Sequence, residues 1–267
     1  MNAYVAGQNL KRHSSIKETL KQIFAFAWRS ILKIRREPEQ LVDVLIQPII
    51  FTLIFVYIFG GAIAGNIANY LPYVIPGVLA QSSVTASLTT GVVIREDQEK
   101  GVFYRFRSLP IARVAPLAGA AIADIIRYLT IGIVTMLMGF IMGMRPGGGV
   151  LGAIGCIFLA VFISWCISWI FSLLAQVLKT AQSMQGIGMV ILFPLTFISN
   201  AFVSTDTLPS ALKWFANINP VSHLVTAMRE LLNNGVVGHQ FFLTLLTGVL
   251  CVMIFAPTTV YAYIKRG

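Results

Sequence analysis

Six long apolar stretches punctuate the chain, at residues 41–62, 71–94, 114–143, 150–178, 186–203 and 241–263. A helix needs about 20 mostly apolar residues to cross a hydrocarbon layer ~30 Å thick, so each stretch is expected to span a membrane. Only 11% of the 267 residues are charged and 57% are hydrophobic, where a soluble domain carries about 25% charged residues. That shortage of polar surface excludes a soluble enzyme. A disordered chain is excluded too, because disorder requires a polar composition poor in aromatics. The expected fold class is an all-α integral membrane protein with six transmembrane helices. Residues 1–40 would form an N-terminal segment and residues 41–267 the six-span domain.

The chain carries 20 Lys and Arg against 10 Asp and Glu, a net charge of +10. In a membrane protein such an excess marks cytoplasmic loops rather than a nucleic-acid partner. Eight of these cations lie in residues 1–40 and five in residues 95–113; Lys179, Lys265 and Arg266 fall on the same side. The opposite side holds Arg145, Lys213 and Arg229. With an even number of spans, both termini are expected in the cytoplasm, with the chain multi-pass in a bacterial or archaeal cell membrane. Cys156, Cys166 and Cys251 all sit in apolar stretches and suggest neither a disulfide frame nor a metal cluster.

Before the first span, Ile16, Leu20, Ile23, Ala27, Ile31 and Ile34 recur at steps of three and four. This is one face of an amphipathic helix, with Lys17, Lys21, Arg29, Lys33 and Arg36 on the other side and Trp28 near the boundary. Such a helix is expected to lie along the membrane interface with its cations toward lipid phosphates. Glu37-Pro38-Glu39 would then break it.

After the second span, residues 95–110 mix charges of both signs with Phe103, Tyr104, Phe106 and Leu109. Aromatic anchors beside Arg forks suit a docking surface for a cytoplasmic protein; a solvated loop with interfacial aromatics is the plainer alternative. Residues 204–240 are too apolar for a free loop. Leu208-Pro209 opens one short helix, and Asn219-Pro220 supplies a cap and first turn for a second, which Asn233-Asn234-Gly235 stops. Two half-length helices fit a re-entrant hairpin on the outer side or a pair of helices lying on the membrane surface. Asp124 and Arg127 are the charges well inside a span, three residues apart on one helical face. They read as a structural ion pair or as part of a substrate pathway.

No phosphate-binding loop motif, metal-ligand spacing or catalytic constellation is present in the sequence, so no catalytic residue and no cofactor is assigned to this chain. A pathway and a docking surface without an energy source point to an external ATPase. A self-powered carrier is the rival from another class, with Asp124 as its single buried carboxylate.

Three stretches carry a family likeness: Arg35-Arg36-Glu37-Pro38-Glu39 through Phe59-Gly60-Gly61; Arg95-Glu96 through Glu99-Lys100-Gly101 to Leu109-Pro110; and Phe193-Pro194 through Leu208-Pro209 to Asn219-Pro220-Val221 and Ala227-Met228-Arg229. In order and spacing the chain resembles the ABC type-2 transporter permeases, within them the daunorubicin-resistance-like drug exporters. The resemblance implies an exporter permease for drugs or other amphipathic molecules, with lipid-linked glycan export as the alternative. It implies two separate ATP-binding subunits, which hold ATP and Mg, and a second permease copy. It places Glu96, Glu99, Lys100, Gly101, Phe103, Arg105 and Arg107 in the coupling loop 95–113, with Trp28 and Arg35 of the interface helix beside it. Pro209, Asn219, Pro220 and Arg229 fall in the external re-entrant region 204–240.

Overall fold

Each apolar stretch contains helix. The structure is a computed structural model and describes residues 16–36, 42–60, 65, 67–102, 111, 112, 114–201 and 209–266. The elements are α1 (Ile16–Arg36), α2 (Gln47–Ile54, flanked by π-helical Val42–Ile46 and Phe55–Phe59), α3 (Ile67–Glu99), α4 (Ala115–Ile141), α5 (Gly149–Val177), α6 (Ala181–Phe197), α7 (Ser210–Ile218), α8 (Pro220–Arg229, continued by π-helical Glu230–Asn234) and α9 (His239–Arg266). No strand occurs among the described residues. The expected break at Glu37-Pro38-Glu39 lies outside them.

Among the described residues, four helices are long and apolar enough to cross a membrane: Tyr70–Glu99, Ala115–Ile141, Gly149–Val177 and His239–Lys265. The first and fifth apolar stretches hold shorter apolar helices, Val44–Ile58 and Ala181–Phe197. The second of these has 17 residues, roughly 25 Å at 1.5 Å per residue. Thr180 caps its start, accepting from Ser183 N at 3.0 Å. The helix ends three residues after Pro194, which cannot donate to the ladder.

The core lies between α3 and α5. Many of their buried positions are small: Ala80, Ser82, Ser83, Ala86 and Ser87 on α3, and Ala160, Ser164, Ser168, Ser172 and Ala175 on α5. In lipid, helix association depends on close packing rather than water exclusion, and small side chains permit it. At Gly91 a Cβ would stand 2.6 Å from the Phe171 carbonyl oxygen, so the α3 backbone needs glycine there. Helix α9 rests on α5 in the same way, with Gly248 against Phe162, Ile163 and Cys166. By contrast α2 with its flanks and α6 bury one residue per turn. The seam on α2 is Val44, Pro48, Thr52 and Val56, and on α6 Met184, Gly188, Leu192 and Thr196.

Gly147-Gly148-Gly149 reads in sequence as a flexible turn, and the structure corrects this. Gly148 N donates to Leu232 O at 2.9 Å. Added Cβ atoms at Gly147 and Gly148 would overlap the carbonyl oxygens of Asn233 and Leu231. The turn is a packed clasp between the start of α5 and the segment after α8.

Candidate functional site

Helix α3 continues past its last apolar residue, Ile94, into Arg95-Glu96-Asp97-Gln98-Glu99 and stops at Gly101, whose φ of +68° favours glycine. Three consecutive side chains there reach three different helices. Lys33 of α1 donates to Asp97 Oδ1 at 3.1 Å, and Arg29 Nη2 lies 3.9 Å from Oδ2. Gln98 Nε2 donates to Gln176 Oε1 of α5 at 2.8 Å, while Arg95 Nη1 donates to Gln98 Oε1 at 2.8 Å. Glu99 Oε1 accepts from Ala181 N at 2.6 Å, at the open N-terminus of α6 where helix N–H groups lack internal partners. Near the end of the loop, Ala112 N donates to Gln22 Oε1 of α1 at 2.8 Å.

Of the residues expected at the docking loop, Glu99 and Gly101 therefore build its stem. Glu96 and Lys100 pair with each other at 3.3 Å on the outer side. Phe103, Arg105 and Arg107 lie outside the described residues, as does the side chain of Arg35. Trp28 is exposed, in line with Leu20 and Phe24 on one ridge of α1. The opposite side of α1 packs on α4, with Ala27 buried and Gly119 too close to Phe26 and the Ala27 backbone for any Cβ. Leu20, on the expected apolar side of α1, lies on the exposed ridge, and Arg29 and Lys33, on the expected cationic side, reach Asp97 of α3. Their spacing of four put both cations on one face of α1, and that was the available signal. Which carboxylate met them depended on the rotation of α3.

Midway along α4, Asp124 Oδ1 lies 2.9 Å from Arg127 Nη1, with both side chains 5% exposed. Thr90 of α3 donates to Asp124 Oδ2 at 2.8 Å and lies 3.2 Å from the Tyr128 hydroxyl. A cavity of about 70 Å³ connects this pair with the Arg29–Lys33–Asp97 group between α1, α3, α4 and α9.

At the far end of the bundle, Pro72 and Pro76 lie within α3. Pro76 has no N–H, so the carbonyl of Pro72 loses its helical donor. Asn233 Nδ2 supplies one at 3.3 Å. Beside it, Arg229 Nε donates to Tyr73 O at 3.1 Å, Arg229 Nη2 donates to Ala201 O at 2.9 Å, and the guanidinium lies 3.5 Å over the Tyr73 ring. Asn219 accepts from Val221 N at 2.9 Å as the cap of α8, whose first residue is Pro220. Its Nδ2 also reaches Leu195 O at 2.7 Å and Ile198 O at 3.2 Å. Pro209 sits immediately before α7. Helix α8 is buried through Val221, Leu224, Val225 and Met228. Asn219→Ala removes a cap and two further hydrogen bonds, so a loss of about 1–2 kcal/mol is expected, read as a Tm lower by several degrees in detergent.

One end gathers three helices onto a charged stem; the other holds a proline-bearing helix with an arginine. The ABC-2 type transporter family matches residues 21–233. The chain is 36% identical over 262 residues to the daunorubicin resistance ABC transporter permease protein DrrB1 of Streptomyces coeruleorubidus, covering 98% of this chain and 91% of that one. It is 27% identical over 161 residues to the O-antigen export system permease protein RfbA of Klebsiella pneumoniae (60% and 58% covered). Against the probable doxorubicin resistance ABC transporter permease protein DrrC of Mycobacterium tuberculosis it is 24% identical over 182 residues (67% and 65%). With a helical bundle apolar enough for a bilayer and a match of this extent, the chain belongs to the ABC-2 type transporter family, as a permease homologous to drug-resistance exporters.

Proposed function

We propose that this permease exports drugs or similar amphipathic molecules, driven by two ATP-binding subunits that dock on the loop 95–113. The observation that carries the reading is the stem of that loop, where Asp97, Gln98 and Glu99 fasten α3 to α1, α5 and α6. A force applied to the loop enters three helices at once. Nucleotide-driven closure of the ATPase pair would move two such stems as rigid bodies and open a path between two permease copies. It can do so only if the docking contacts differ between the two states. ATP and Mg belong to the partner subunits in this scheme.

The same reading puts six helices across the cell membrane, with α2 and α6 as the short first and fifth spans and both termini in the cytoplasm. The positive charge gathered in residues 1–40 and 95–113 supports that orientation. Helices α7 and α8 form the re-entrant element of the outer half. The burial of α8 against protein supports this, because irregular backbone at membrane depth must be covered by protein or water. Lipid-linked glycan export is the second reading, supported by the likeness to an O-antigen export permease. Family membership weighs against a self-powered carrier.

Co-expression with a cognate ATP-binding subunit provides the test. The expected result is a complex that survives purification and hydrolyses ATP in a permease-dependent way. Arg105→Glu or Arg107→Glu should cut drug efflux roughly tenfold, the effect of losing about 1.4 kcal/mol of coupling, while the permease still inserts and purifies. Full transport in both variants would move the docking surface elsewhere.

A further inference from the structure

The cavity between α1, α3, α4 and α9 has a mouth and a floor. At the mouth stand Arg29, Lys33 and Asp97, with side chains 43%, 20% and 28% exposed. At the floor, Asp124 and Arg127 are 5% exposed. Phe26, Leu117, Ala120 and Ala123 line the walls between them. The lining includes three cations, Arg29, Lys33 and Arg127, and two carboxylates, Asp97 and Asp124. Asp124 already accepts from Thr90 and pairs with Arg127. Arg127 Nε, by contrast, has no hydrogen-bond partner although it is buried. A buried guanidinium donor without an acceptor costs on the order of 1–3 kcal/mol. The space beside it, about 70 Å³, exceeds what one water needs.

A singly charged oxyanion with several acceptor oxygens answers all three features, and a phosphodiester is such a group. The exposed ridge of Leu20, Phe24 and Trp28 on α1 says where it comes from. An apolar ridge on an amphipathic helix lies in the boundary between acyl chains and headgroups, which sets the cavity mouth at the depth of lipid phosphates. We infer that this cavity binds the phosphate of an anionic inner-leaflet phospholipid, inserted beneath α1 toward Arg127. The lipid is a bound component that fastens α1 to α3 and α4, and it need not be transported. Its leaflet rests on the orientation proposed above; its binding does not.

The test is thermal unfolding of the purified full-length permease in mild detergent, with no ATPase present. The probes are phosphatidylglycerol, phosphatidylcholine and inorganic phosphate. Phosphatidylglycerol should raise the Tm by on the order of 5 °C at saturation, phosphatidylcholine by much less, and inorganic phosphate negligibly. Arg127→Gln should abolish the phosphatidylglycerol shift. Ala120→Leu, which fills the wall without changing charge, should abolish it too and decides the matter if the first variant does not fold. An undiminished shift in Ala120→Leu overturns the site. An equal shift with inorganic phosphate overturns the lipid in favour of a free anion.

Discussion

Asp124→Ala should lower the stability of the permease by about 3–5 kcal/mol, because it strands the Arg127 guanidinium in a buried site. The Thr90 hydroxyl loses its acceptor at the same time. For a chain of this size the Tm in detergent should fall by about 10 °C. Replacing both partners, Asp124→Leu with Arg127→Met, should recover most of that loss, since an apolar pair of similar volume leaves no charge unpaired. Under this account export of cationic and neutral amphiphiles falls together, in proportion to folded protein. Loss confined to cationic substrates at unchanged Tm would instead make Asp124 part of the pathway.

Gly77→Val should be still more damaging. A Cβ at this position would overlap the Ala201 carbonyl oxygen, which is main chain and cannot swing aside. The same oxygen accepts from Arg229 Nη2 at 2.9 Å, and the Asn200 carbonyl beside it lies 3.5 Å from the Tyr73 hydroxyl. Pushing α3 away from residues 200–201 therefore opens the arginine lock as well as the packing. A cost above about 4 kcal/mol is expected, read as loss of the monodisperse peak in size-exclusion chromatography. Gly186→Ala is the control. Gly186 has open space around its Cβ position and ordinary helical φ, so alanine there should leave the peak intact and raise the Tm slightly.

Helix positions were legible because apolar length is a one-dimensional property: all six stretches contain helix. The pairing of Asp124 with Arg127 was legible for the same reason, since a spacing of three fixes a shared face. Thr90 as the third member was not, because it depends on how α3 is rotated against α4. Arg229 appeared in the sequence as a motif residue with no partner; its contacts to Tyr73 and Ala201 span 156 and 28 positions. Gly147-Gly148-Gly149 misled because three glycines signal freedom unless the neighbour that needs their bareness is known. Asp97 went unremarked among five charged or polar neighbours, and only the three-dimensional arrangement distinguishes it from Glu96.

The proline-bearing far end of α3 also has a consequence for the order of events during synthesis. The carbonyl of Pro72 is answered by a side chain 161 positions later. A ribosome delivers α3 to the bilayer, and then α4, α5 and α6, before that donor exists. Throughout this interval the nascent protein holds a bare polar notch facing whatever surrounds it, which in lipid is costly. Every truncation product ending before Asn233 leaves the Pro72 carbonyl without this donor permanently, so the far end of α3 is finished only when the segment after α8 has been made.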